Sequence, residues 1–149
     1  MADHPRNKSD AELRLLAERG GVVGLYFMPY LRLAGQPMAA DLVAHLEHAI
    51  DVCGEDHVGL GTDGGTTAQD DMTAYRRRLE DEVAQRRARG IGAPGETADV
   101  ATFLPDLCGP TQFQRLADLL AARGHSAARI EKILGGNFRR LMADAWAHH

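Results

Sequence analysis

The chain has 149 residues, which is room for one ordinary domain that buries roughly two-thirds of its unfolded surface. Its 44% apolar and 26% charged residues, with a formal net charge of −4, exclude disorder as the overall description. The longest apolar stretch, Gly20 to Tyr30, is well short of the roughly 20 residues that cross a bilayer and too deep in the chain for a signal peptide, so a cytoplasmic protein with no membrane partner is expected. An acidic balance, with an isoelectric point near 5.9, argues against a nucleic-acid partner, whose binding domains carry a basic excess. Cys53 and Cys108 have no paired spacing and read as free thiols of a reducing compartment.

The first element opens at Ser9-Asp10-Ala11-Glu12, a capping-box string. Leu13, Leu16 and Ala17 share a face behind it, and Gly20-Gly21 ends the helix. Val22 to Phe27 is an apolar run without alternation, the pattern of a parallel strand covered on both sides, and Pro29 stops it. Leu42, Leu46, Ala49, Ile50 and Cys53 then fall at helical spacing between Met38 and Cys53, with Gly54 as terminator. His57 to Gly61 is a second short strand, so the segment from 22 to 61 forms a right-handed βαβ unit.

Beyond Thr62-Asp63-Gly64-Gly65 the character changes. Met72, Tyr75, Leu79 and Val83 mark a helix whose other face carries arginines at 76–78 four residues before acids at 80–82. Gly90 to Pro110 is rich in glycine and proline and reads as a long surface loop. Phe113, Leu116 and Leu120 line a further helix, Ile130, Ile133 and Leu134 the next, and Phe138, Leu141, Met142 and Trp146 the last. Two parallel strands with about six helices do not make a self-sufficient sheet, because both outer edges leave backbone groups unpaired.

Several strings suggest chemistry. Gly59-x-Gly61-x-x-Gly64 fits the dinucleotide fingerprint as text, but no helix start follows to receive a pyrophosphate, and Asp63 would oppose its charge. His45-Leu46-Glu47-His48 lacks the i, i+4 histidines of zinc-protease helices and reads as the polar flank of a surface helix. The arginines between 76 and 89 are interleaved with acids and have no stacking aromatics, which describes a solvated, salt-bridged helix face. His148-His149 is set aside as a tail. Asp63 is different: it stands immediately past a buried parallel strand, where βα-barrel and open α/β enzymes place catalytic groups. An Asx turn or a helix cap is the structural alternative for it.

Four segments together resemble the carboxyl-terminal part of the renal (membrane) dipeptidase family of zinc peptidases. They are Asp3 to Asn7, Gly20 to Phe27, Asp56 to Asp63 and Ile130 to Phe138, in matching order and spacing. The resemblance covers nearly the whole chain outside about Ala68 to Thr102. It implies a (β/α)₈ TIM barrel with a binuclear zinc site, whose bridging hydroxide attacks the carbonyl of a dipeptide substrate. On that resemblance Asp63 is the catalytic aspartate that moves a proton to the departing amine. Arg6 matches the arginine that holds the substrate's free carboxylate.

The family's metal ligands are a His-x-Asp pair, a bridging glutamate and two later histidines, all upstream of the segment that Arg6 matches, so no metal ligand is carried over. Two departures touch substrate preference. Gly64-Gly65-Thr66 replaces the aromatic residue, second aspartate and glycine that follow the catalytic aspartate in many members, and the stretch up to Pro110 is longer than in the renal type. The expectation is one partial domain over 1–149, the carboxyl-terminal fragment of a zinc dipeptidase barrel with Met1 an internal methionine of a longer protein. Such a chain binds no zinc and is inactive alone. The alternative is a non-catalytic assembly or binding module that completes its sheet with a partner chain or as a homo-oligomer.

Overall fold

The computed structural model describes residues 2–147; His148 and His149, set aside above, lie outside them. Helix α1, Asp10–Glu18, opens with the expected capping box: Glu12 N–H donates to Ser9 Oγ at 3.3 Å, and Ser9 N–H donates to Glu12 Oε2 at 2.8 Å. After it Gly20 turns the chain at φ +73°, a conformation glycine reaches without steric cost.

Strand β1, Val23–Leu25, pairs in parallel with β2, Val58–Leu60, in the register Val23 to Val58, Gly24 to Gly59 and Leu25 to Leu60. Both are shorter than the expected 22–27 and 57–61, although single bonds prolong the pairing. Gly61 N–H donates to Leu25 O at 2.8 Å and Phe27 N–H to Thr62 O at 3.1 Å. Helix α2, Ala39–Cys53, makes the crossover and buries Leu42, Val43, Leu46 and Ala49 against the sheet. The expected βαβ unit is therefore present.

Within the paired segments only one side of this sheet carries apolar side chains. Val23, Leu25, Val58 and Leu60 join the main core with α2. The other side presents Gly24, Gly59 and Gly61, and Phe138 lies over it: a Cβ on Gly24 would be 3.3 Å from Phe138 Cζ, and one on Gly59 only 2.7 Å from Phe138 Cε2. The absence of alternation came from glycine, which leaves room for a ring from the last helix.

Helix α3, Met72–Ala88, is capped by Asp71, whose carboxylate accepts from Ala74 N–H at 2.8 Å. Its buried residues are the expected Tyr75, Leu79 and Val83, and they form a second, smaller core with Ala101. The segment 90–110 is irregular as expected, and its first half lies at the surface, but its second half does not. Ala101, Leu104 and Leu107 are buried, and the Gln36 side chain fixes the backbone by accepting from Ala101 N–H at 2.7 Å and donating to Phe103 O at 3.0 Å.

Helix α4, Gln112–Ala122, buries Leu116 and Leu120 but turns Phe113 outward, 38% exposed, and buries Gln112 instead. Helix α5, Ala127–Glu131, runs through a wide turn at Lys132–Gly136 into α6, Asn137–Trp146. Ile133 is buried, whereas Leu134 is not. On α6 the expected apolar face is largely uncovered, with Met142 48% and Trp146 72% exposed. Asn137 anchors this end of the chain: its buried amide donates to Glu55 O at 2.7 Å and Val58 O at 2.8 Å, at the entrance of β2. Among the described residues no helix is long and apolar enough to cross a membrane.

Candidate active site at the carboxyl end of the strands

Two loops leave the carboxyl ends of the paired strands, and the Phe27 N–H to Thr62 O bond ties them together. Asp63 stands in the second, three residues past β2, exposed and with φ +54°. It is the one positive-φ residue other than glycine among the described residues, and short polar side chains tolerate that region better than most. The turn is braced by Thr62, whose hydroxyl donates to Gly64 O at 3.1 Å. No helix begins until Met72, so Asp63 is not a helix cap, and Gly59-x-Gly61-x-x-Gly64 meets no helix amino terminus. Asp63 borders a cavity of about 200 Å³ with Phe27, Thr67, Phe103, Cys108 and Gln112.

Arg6 lies in the segment before α1, which folds over the loop that follows β1. Its guanidinium is 5.3 Å from the centre of the Tyr30 ring, a cation–π distance. His4 stacks on the same tyrosine with centroids 4.5 Å apart. His4 Nδ1 accepts from Arg6 N–H at 3.2 Å while its Nε2–H donates to Pro94 O at 3.1 Å, so both ring nitrogens are used in one neutral tautomer. Asn7 bonds to Ala2, Tyr26 and Tyr30. Burial pushes the Tyr26 phenol up to about 12, and its O–H donates to Asn7 Oδ1 at 2.9 Å. Arg6 borders a separate cavity of about 410 Å³ that runs beside β1, lined also by Asn7, Gly24, Leu25 and His45. The two sequence-predicted residues thus share an end of the sheet but not a cavity.

His45 departs from its reading as a surface group. It is buried, 6% exposed, with Nε2 at 3.1 Å from Leu31 O, and burial lowers its pKa. Its neighbours do lie on the helix flank as expected. His48 contacts Asp10 at 2.7 Å, and this hydrogen bond holds the Asp10 carboxyl low. Glu47 receives Arg123 in a two-pronged pair at 2.8 and 2.6 Å, which lowers Glu47 in turn. The arginines of α3 are exposed except the half-buried Arg86, and those that form ion pairs do so with acids: Arg78 with Glu82, and Arg86 with Glu82 and Glu96. Cys53 and Cys108 are both free.

The sequence reading did not single out Tyr26 or Tyr30, and it named Phe138 only as a residue lining the last helix. Asn7 was visible only as the residue next to Arg6, and nothing in the sequence marked it as a bridge. Among the described residues no group of three or more His, Cys, Asp or Glu side chains could hold a metal ion. The donor set of these residues therefore does not fit a binuclear zinc centre.

A short parallel sheet with a crossover helix and polar groups at the strands' carboxyl ends defines an α/β protein. The model of the membrane dipeptidase family, peptidase family M19, matches residues 1–91. An uncharacterized protein in the pqqA 5′ region of Klebsiella pneumoniae is 30% identical over 152 aligned residues, 98% of this chain and 43% of that protein. An uncharacterized dipeptidase of Schizosaccharomyces pombe is 38% identical over 42% of this chain and 16% of its own length. Among solved structures, an amidohydrolase from Pseudomonas aeruginosa superposes with a TM-score of 0.71 at 27% identity, covering 97% of this chain and 42% of that one. A metallopeptidase from Rhodobacter sphaeroides, crystallised with a phosphinate mimic of L-Ala-D-Ala, shares the fold at 24% identity and a TM-score of 0.62 over 93% of this chain and 31% of that one. The chain belongs to the membrane dipeptidase family. It spans less than half the length of these relatives.

Proposed function

We propose that this chain forms the carboxyl-terminal strands and closing helices of a zinc-dependent dipeptidase built as a (β/α)₈ barrel. In this reading Asp63 passes the proton to the departing amine and Arg6 receives the free carboxylate of the dipeptide. The observation that supports it is placement: Asp63 stands in the loop at the carboxyl end of β2, Arg6 packs over Tyr30 of the loop at the carboxyl end of the adjacent β1, and the Phe27 to Thr62 hydrogen bond joins the two loops. That end is where βα-barrel enzymes assemble their chemistry. An exposed carboxylate in a glycine-flanked turn is free to exchange protons, and a guanidinium offers a planar fork of donors to a carboxylate.

The described residues offer no ligand set for the metal centre, so the proposal includes that the 149-residue chain hydrolyses no dipeptide by itself. Incubation with zinc and dipeptides tests this: stoichiometric zinc uptake together with turnover overturns it. In a reconstructed longer barrel that ends with this chain, Asp63→Asn lowers kcat by about two to four orders of magnitude. Unchanged turnover removes Asp63 from the chemistry.

A second reading rests on the outer edges of β1 and β2, which no described strand covers. A module that completes its sheet with a partner or a second copy would protect those backbone groups. Light scattering separates the two: a discrete, cooperatively melting oligomer favours the module, and aggregation favours the barrel part.

A further inference from the structure

We propose that Asn7 is a positioning residue that holds Arg6 over the Tyr30 ring before any substrate arrives. The inference rests on the reading of Arg6 as the carboxylate receptor and adds the device that aims it.

The Asn7 side chain makes three hydrogen bonds, one within its own segment and two to the chain that leaves β1. Its Nδ2 donates to Ala2 O at 2.8 Å and to Tyr30 O at 2.9 Å, and its Oδ1 accepts from Tyr26 O–H at 2.9 Å. Both amide protons and one carbonyl lone pair are therefore engaged. The first bond closes the turn that carries Arg6, assisted by Asn7 N–H to His4 O at 2.8 Å. The second and third fasten that turn to the chain leaving β1, the second on Tyr30, the residue whose ring lies under the guanidinium, and the third on Tyr26. Asn7 joins the Arg6 turn to Tyr30 by a hydrogen bond, and the His4 ring, which accepts the Arg6 N–H, joins it to the same residue by stacking.

Arginine loses much rotamer freedom when it grips a ligand, and fixing it beforehand removes part of that loss from binding. Asn7 does this at the backbone on both sides: it fixes where Arg6 starts and where Tyr30 ends. A carboxylate in place of the amide keeps size and acceptor but loses both donors, and it sets a negative charge against the Ala2 and Tyr30 carbonyls. Asn7→Asp is therefore the sharp variant, and Tyr26→Phe the mild one, since it removes the third bond alone.

The experiment is NMR on the full chain, following the Arg6 Nε–Hε group, with N-acetylglycine as a carboxylate probe that lacks a free amine. In the wild type the Arg6 Hε resonance is expected upfield of its free position, from the Tyr30 ring current, with the relaxation of an ordered group. A free-chain shift and relaxation in the wild type overturn the proposal without any variant. Asn7→Asp is expected to remove the upfield shift and to weaken N-acetylglycine binding about tenfold, while backbone resonances of α2 and β2 stay in place. Tyr26→Phe should keep most of the shift. An unmoved Arg6 resonance in a folded Asn7→Asp chain assigns Asn7 to fold stability alone and refutes the inference. If Arg6 is ordered by Asn7 yet N-acetylglycine leaves it unperturbed and Arg6→Ala changes nothing in the titration, the carboxylate reading of Arg6 fails and the positioning by Asn7 stands.

Discussion

Replacing Gly59 by alanine sets two physical effects against each other, and the structure says which prevails. Gly59 has no positive φ, so alanine fits the backbone and, by restricting the unfolded chain, would stabilise by about 0.4–1 kcal/mol in open space. The space is not open. The new methyl would fall 2.7 Å from Phe138 Cε2 and 2.9 Å from Cδ2, with Val22 Cγ1 at 3.5 Å behind it. Contact between carbons is optimal at roughly 3.5–4.0 Å, so the ring must retreat by about 1 Å from a sheet it lies flush against. Overpacking of this kind costs about 1–3 kcal/mol, which exceeds the entropic gain. Urea unfolding followed by far-ultraviolet circular dichroism should therefore show Gly59→Ala destabilised by about 1–2 kcal/mol. The same change made in a Phe138→Leu background should cost much less, because the clashing edge is gone, and the difference is the coupling energy of the pair. An equal loss in both backgrounds, or a gain in the first, refutes the account of Phe138 as the ring seated on the glycine face.

Asn137→Ala leaves the Glu55 and Val58 carbonyls without their buried donor and should cost about 2–3 kcal/mol in the same unfolding assay. Burial holds the His45 imidazole below its ordinary value of 6.5, so the unfolded chain takes up the proton at a higher pH than the folded one. Stability is complete above pH 6.5 and falls as pH drops through the folded value; His45→Gln should flatten that limb in a series of urea midpoints between pH 7.5 and 5. At Asp63, φ +54° predicts that Asp63→Val costs about 1–2 kcal/mol while Asp63→Asn and Asp63→Gly leave the thermal midpoint nearly unchanged, separating the fold from any chemical role of the carboxylate.

Local rules read this chain well where the partner is close in sequence. Ser9 and Glu12 close their capping box within one turn, and the spacing of Leu42, Leu46 and Ala49 fixes which face of α2 is buried. Those rules fail where burial depends on a distant group. His45 looked like a solvent-facing residue because the carbonyl of Leu31 that receives it is supplied by another loop. The stretch 90–110 looked solvated because nothing local tells that Tyr75 and Gln36 will take up its backbone and its apolar residues. For α6 the spacing named the apolar face correctly but carried no information on what covers it, and Met142 and Trp146 are left open. Asp63 and Arg6 were legible as candidates from their neighbouring residues. The platform under Arg6 was not, since Asn7, Tyr26 and Tyr30 meet only when the segment before α1 folds back over β1.

The division of the apolar interior into two clusters gives the molecule a seam. Helix α3 buries Tyr75, Leu79 and Val83 against Ala98, Ala101 and Phe103 and not against the sheet. That unit is moored to the rest by few bonds, chiefly the Gln36 side chain and the His4 to Pro94 contact. It can open as one cooperative piece while α2 and the paired strands keep their amides protected. Length changes between Thr66 and Phe103 are then tolerated mechanically, as a flap can be resized without rehanging the wall that bears it.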